Sequence, residues 1–326
     1  MTYQRRLQVL FLLFALICVF FAMVKVNVVG FIPAGSTFTT KQRGEVLQLY
    51  ILEKGEPQLY SNAYYGEMSR GFNVFDFINP VGTFYASKKD QPNLDFSAQR
   101  LHYEKETKLA DFSGDVRAQR KPLTLTCMVG SFLIDSEIFH CEQEVKVVGL
   151  DPAKQDEITI HSHHVDAFFR ERYSLHKGQV VGKIKRPFIH EPPTDFESEQ
   201  LSFYFDLNQA NLDGNVKVWH GEFTLMGRRG EILLENYNKK LKYFTLNDDV
   251  VVEQKLPKNV PGGHRTAYAE RMEGIRSEGV VVLTGAPRVI QGKDVVKGNK
   301  ITLRQGASLI EVDDAASNLI YGNQQR

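Results

Sequence analysis

From Glu45 onward, apolar and polar residues alternate in short runs, and this period confines the chain to strands. Leu94, Phe96 and Ala98 alternate with Asp95, Ser97 and Gln99, and Leu201, Phe203, Phe205 and Leu207 alternate with Ser202, Tyr204 and Asp206. Val216, Val218 and His220 do so with Lys217 and Trp219, and Ile301 and Leu303 with Thr302 and Arg304. A period of two puts the apolar members on one strand face and the polar members on the other. The supply of 22 Phe and 13 Tyr suits strands as well. No long stretch after residue 45 holds a 3.6-residue period. Tyr268 to Ile275 is the best expectation for a short helix.

A longer period overlies the short one. Valines follow a Gly, Asn or acidic turn at Gly114-Asp115-Val116, Glu144-Val145, Gly178-Gln179-Val180, Gly214-Asn215-Val216, Asp249-Val250 and Gly279-Val280. Successive copies lie 29 to 36 residues apart, with Pro80-Val81 before the first and Glu311-Val312 after the last. Units of this size cannot close a core alone and stack on their neighbours. An ordinary β-sandwich with evenly spaced turns is the competing expectation.

Residues 7–24 are apolar apart from Gln8. About 20 such residues in a helix cross a bilayer. Arg5 and Arg6 precede the run, which predicts a cytoplasmic N-terminus and an outside body. No small-residue cleavage site follows, so the run reads as an uncleaved anchor. Gly30 to Thr40 then breaks any continuing helix. The expected organisation is a stub and transmembrane anchor over 1–30, a linker over 31–44, and two β modules over 45–190 and 196–322. Pro187, Pro192 and Pro193 mark the break between the modules, and Pro257, Pro261, Gly262 and Gly263 mark a later loop.

With 40 basic against 39 acidic residues, no field suited to a polyanion is present, which argues against nucleic acid. Outside the cytoplasm, Cys127 and Cys141 either pair or remain two buried thiols. No nucleophile elbow and no phosphate loop occurs, so the chain is expected to be no enzyme and to hold no cofactor. His161-Ser162-His163-His164 is the one metal-like cluster, with Asp166, His176 and His190 nearby. His161 and His163 would share a strand face. An outward polar face is the plainer reading, and no metal is assigned. Asp248-Asp249 and Asp313-Asp314 read as turn residues.

The stretch from Gly279 to Leu303, with its Gln291-Gly292 and Gly298-Asn-Lys-Ile301 spacing, resembles the repeat of the LptA/OstA-like lipopolysaccharide-export proteins. Ala210 to Val218 and Ala110 to Val116 resemble its Gly-Asn-Val turn. A single N-terminal anchor before such repeats is similar to the layout of LptC. The chain is long for LptC alone, and it looks like an LptC-like module followed by an LptA-like one. The resemblance implies an all-β fold: a transmembrane helix, then an elongated, twisted β-jellyroll forming a V-shaped open trough. It also implies a role, namely shielding lipid acyl chains and passing them from an inner-membrane ABC transporter to a periplasmic β bridge or outer-membrane receptor. The ligand would be lipopolysaccharide or a similar glycolipid. Leaving a CH₂ in water costs about 0.8 kcal/mol, which is the physical reason for such a trough.

On that reading, alternation assigns the trough lining to Phe96, Phe112, Val116, Phe132, Ile134, Phe203, Phe205, Val216, Val218, Leu225, Val282, Ile301 and Leu303. The edge strands for partners would carry Val46, Leu47, Leu49 and Ile51 at one end and Leu309, Ile310 and Val312 at the other. Two rivals stand beside it: a structural or adhesive β-repeat with a closed core, and an extracytoplasmic metal or polysaccharide binder.

Overall fold

The computed structural model describes residues 44–68, 71, 73–86, 91–121, 123–151, 156–185, 193–204, 206–207, 209–234, 241–256, 263–275, 279–304, 310–313 and 316–318. Lys41–Arg326 forms one contact unit, distinct from Met1–Thr40. Every regular element among the described residues is a strand. In chain order they are β1 (Gly44–Glu53), β2 (Glu56–Met68), β3 (Val74–Ile78), β4 (Val81–Phe84), β5 (Leu94–Ser97), β6 (Arg100–Glu104), β7 (Leu109–Arg120) and β8 (Leu123–Leu133). There follow β9 (Ile138–Asp151), β10 (Asp156–Phe168), β11 (Tyr173–Lys185), β12 (Thr194–Tyr204), β13 (Gln209–His220), β14 (Phe223–Leu234) and β15 (Leu241–Lys255). The last are β16 (His264–Ile275), β17 (Val280–Thr284), β18 (Arg288–Gln291), β19 (Asp294–Lys297), β20 (Lys300–Arg304), β21 (Ile310–Asp313) and β22 (Ala316–Asn318).

The strands pair antiparallel, each with the next, from β7 through β16. At each end the long strands give way to pairs of short ones. β2 pairs with both β3 and β4, and β7 with both β5 and β6. β16 likewise pairs with β17 and β18, which pair with β20 and β19. The ladder runs on across the Pro-rich stretch at 186–193: β11 pairs with β12 from Tyr173↔Tyr204 to Ile184↔Thr194.

Each long strand has a corner near its middle, where the register slips. On alternate strands the corner is a pair of residues with positive φ: Gly114-Asp115, Gln143-Glu144, Gly178-Gln179, Gly214-Asn215 and Asp248-Asp249. The next residue turns back inward and is buried: Val116, Val145, Val180, Val216 and Val250. The long sequence period is this corner. Two copies differ from the expected register. The last pair is Gly285-Ala286, not Gly279-Val280, and the inward residue after it is the buried Pro287. Near the start, Asn79 has positive φ and Pro80 is the buried residue, while Val81 is 60% exposed. Proline has no N–H to give a ladder, so at these two corners the strand divides, into β3/β4 and β17/β18.

The facing strands turn the same corner differently. Inward residues there lie three apart, with two outward ones between: Cys127 and Gly130, Ser162 and Val165, Ser198 and Leu201, Ala269 and Met272. The first of each pair is small. This spacing explains the helix expected over Tyr268 to Ile275, which is the middle of strand β16. Two outward residues in succession break the period of two and imitate an i, i+3 pattern.

Candidate functional site

The corners divide the sheet into two halves, and the inner faces of both halves are apolar. One half carries Phe84, Phe96, Val147, Phe196, Val218, Leu225, Val252 and Val289, and the other Phe77, Leu101, Phe112, Phe132, Val165, Leu201, Leu246, Leu283 and Ile301. Between β2 and β10 the two faces meet through rings. The Phe84 and Phe132 centroids are 4.5 Å apart and those of Phe96 and Phe112 5.2 Å. Phe112 and Phe132 each lie near Phe139, at 5.8 and 6.0 Å. Between β12 and β20 the interior is chiefly aliphatic, with Phe196, Phe203, Phe223 and Phe244 as its described rings.

Most of the expected lining residues are on this interior. Phe96, Phe112, Val116, Phe132, Ile134, Val216, Val218, Leu225, Ile301 and Leu303 are buried in it, and Phe203 packs on it half-buried. Val282 is a correction. It pairs with Thr302 on the outer face, while Val281 and Leu283 face inward against Leu303 and Ile301. A run of three valines carries no alternation, so the sequence could not tell which face each takes. Phe205 lies outside the described residues, and Leu207 is 58% exposed in the turn that ends the β12 alternation.

Of the expected edges, β1 pairs only with β2 and β21 only with β20 among the described strands. Leu47, Leu49, Ile51, Ile310 and Val312 pack half-buried on the core. The side chain of Val46, and Leu309 altogether, lie outside the described residues. The apolar run 7–24 also lies outside them, and no described helix is long and apolar enough to cross a membrane.

Polar groups interrupt the interior, among them Arg120, Arg265 and His176. Arg120, at the end of one half, reaches the turn at the end of the other. Its guanidinium is 3.2 Å from Glu137, donates to the Pro92 carbonyl at 2.7 Å, and lies 4.9 Å over the Phe169 ring. Arg265, fully buried, donates to Gln254 at 3.2 Å and to Gln291 at 3.0 Å. Burial holds its pKa below the ordinary arginine value. His176 lies on β11, between the ring-filled and aliphatic stretches. It contacts Ser174 at 3.2 Å, and burial pushes its pKa down to about 4. The sequence had offered His176 only as a metal partner. Its place four residues before Val180, as Phe112 stands before Val116 and Leu212 before Val216, is the signal for a buried position.

Cys127 and Cys141 are disulfide-bonded, with Cα atoms 6.0 Å apart, tying β8 to β9. The histidine run separates. His161 and His163 are exposed, whereas His164 turns toward His140 and Asp166. His190 lies outside the described residues. Among the described residues, polar side chains line a hollow on the outer face. It has a volume of about 560 Å³ and is lined by Gln200, Ser202, Asn211, Asp213, Arg229, Glu231 and Asn247.

Residues 195–307 match a family model described as LptA/(LptD N-terminal domain) LPS transport protein. This part of the chain is similar to that family. The LptA-like segment runs from β12 through β20 and includes the whole aliphatic interior. A solved structure is also similar to the chain: LptH, the LptA homologous periplasmic component of the conserved lipopolysaccharide transport device from Pseudomonas aeruginosa. Identity is 18%, the match covers 42% of this chain and 92% of that one, and the TM-score is 0.34. No curated protein matches the chain.

Proposed function

We propose that the chain is a membrane-anchored, non-enzymatic periplasmic component of lipopolysaccharide export. It holds acyl chains against its apolar inner face and passes them from an inner-membrane ABC transporter to a β bridge. The carrying observation is that the LptA-like segment, 195–307, coincides with the aliphatic interior of β12 to β20. In this reading residues 1–30 anchor the chain, 45–190 form an LptC-like module and 196–322 an LptA-like one. The edge strands β1 and β21 pair with partners by strand addition. A twelve-carbon chain kept from water is worth about 9 kcal/mol, enough to spread two apolar faces that otherwise cover one another. The ring contacts between β2 and β10 favour a second reading for the first module, a closed structural core.

Photo-crosslinking in membranes tests the proposal. A crosslinking amino acid at Val218 or Leu246, both buried on the inner face, should give ATP-dependent lipopolysaccharide adducts. Lys217, exposed on the outer face, should give none. Folded, anchored protein that yields no adduct at Val218 or Leu246 leaves the closed structural module as the function.

A further inference from the structure

A second group of side chains converges on the outer face, on β9 and β10. We propose that His140, His164 and Asp166 form a binding site for one divalent ion of the zinc class. Asp166 stands directly opposite His140 in the ladder, and His164 opposite Glu142. Inward residues Cys141, Val165 and Ala167 alternate with them, so the three ligands share the outer face. His140 Nδ1 and His164 Nε2 each lie 2.6 Å from the same oxygen, Asp166 Oδ1. All three ligand atoms are within 4.8 Å of one another.

Two imidazoles aimed at one oxygen mark a point where a cation fits. Zinc is bound by imidazole nitrogen and carboxylate oxygen at about 2.0–2.2 Å, which sets tetrahedral ligand atoms about 3.3–3.6 Å apart. Opening the cluster to that spacing takes side-chain shifts of about 1 Å. The surrounding groups support it. Glu142 Oε1 lies 3.5 Å from His164 Nδ1, the nitrogen turned away from the cluster. A proton held there leaves the Nε2 lone pair for the ion, the arrangement in which a carboxylate fixes the tautomer of a metal-bound histidine. Lys177 Nζ lies 3.6 Å from the other oxygen, Asp166 Oδ2, leaving Oδ1 as the ligand. Asp166 is 8% exposed.

One carboxylate with two imidazoles is a poor set for calcium or magnesium, which take six or more oxygens or keep their waters. Both histidines are partly exposed, so a fourth position opens to solvent. The consequence is mechanical. The disulfide ties β8 to β9 through Cys141, and an ion on the adjacent His140 ties β9 to β10. Three successive strands are then cross-linked where the ring-filled interior ends.

The experiment is titration of the tag-free full chain in detergent with Zn²⁺, read by calorimetry and native mass spectrometry. One equivalent should bind and raise Tm, with Ca²⁺ binding far more weakly. Asp166→Asn and, separately, His140→Gln should weaken Zn²⁺ binding tenfold or more and abolish the Tm rise, with unchanged circular dichroism in EDTA. The His161→Ala/His163→Ala double variant should bind as the parent does. Absence of a stoichiometric ion in the parent, or binding that survives Asp166→Asn and disappears in the double variant, overturns the site.

Discussion

The stretch from β2 to β10 and the stretch from β12 to β20 share one corner geometry and fill it differently. In the first, rings from the two halves touch across the interior, a disulfide joins β8 to β9, and ion pairs link the ends of the two halves. Lys108, in the turn at one end, lies 2.8 Å from Glu53 at the other. In the second, the interior is mainly Val, Leu and Ile. Ion pairs among its described residues, such as Arg229–Asp248, Arg271–Glu273 and Arg304–Glu311, lie on the outer face. Exposed pairs of this kind contribute little. Cross-linked, ring-filled halves resist separation. Aliphatic halves are held mainly by their shared apolar area, and under the proposed function they would exchange that area for an acyl chain. The same fold thus provides one cross-linked stretch and one held mainly by apolar contact.

The sharpest way to break this comparison is to remove one side chain from each interior. Phe132→Ala removes a ring in contact with Phe84, Phe139 and Phe169 and should cost about 4 kcal/mol in urea unfolding. Leu246→Ala, fully buried among aliphatic neighbours, should cost about 2 kcal/mol. Equal losses would show two interiors packed alike. Acid should act next, at the junction. His176 stays neutral in the folded chain down to about pH 4, whereas unfolded it takes a proton near 6.5. The unfolded state therefore gains protons first as pH falls. Stability from this group is complete above pH 6.5 and declines by about 3 kcal/mol on the way to pH 4. The His176→Gln variant should lose that slope in the same unfolding series. Reduction of Cys127–Cys141, whose residues are 14 apart in sequence, should remove somewhat under 3 kcal/mol. Hydrogen exchange should then speed up in β8 and β9 and remain unchanged in β13 and β14.

Much of this was legible in the sequence, and the illegible part has a physical pattern. Alternation identified the inward residues of β13 and β20, because one face is buried and the other wet. The valine period located five corners, because the residue after a left-handed pair must turn inward. Where the chain turns a corner on the facing strands, as at Ala269 to Met272, the period of two fails and reads as helix. Where both faces are apolar, as at Val280 to Val282, alternation is silent. The ligand cluster was half visible: the His run pointed to β10, but its partner His140 lies 24 residues upstream and meets His164 only through the β9–β10 register. Ring contacts between the halves were likewise out of reach, since they join residues on strands that are not paired.

The smallest expected effect concerns the corners, of which each stretch has one kind with glycine and one without. Gly214 has φ +74°, where a side chain is disfavoured by about 1–2 kcal/mol, and an added Cβ would run into the Glu199 side chain. Gly214→Ala should therefore cost about 1–2 kcal/mol, read as a lower urea midpoint at constant m-value. Two of these left-handed pairs have no glycine: Gln143-Glu144 in the cross-linked stretch, at φ +62° and +55°, and Asp248-Asp249 in the other, at φ +65° and +54°. The first of these is the one to change. That corner carries the strain that glycine relieves elsewhere, immediately beside the disulfide at Cys141 and the His140 cluster. Gln143→Gly should stabilise by about 0.5 kcal/mol, the relief of strain being partly offset by the freer unfolded chain. If it instead destabilises, the Gln143 side chain contributes something at that corner beyond tolerating it. The two glycine-free corners would then be alike in resting on side-chain contacts, as Asp248 does on Arg229 in the second stretch.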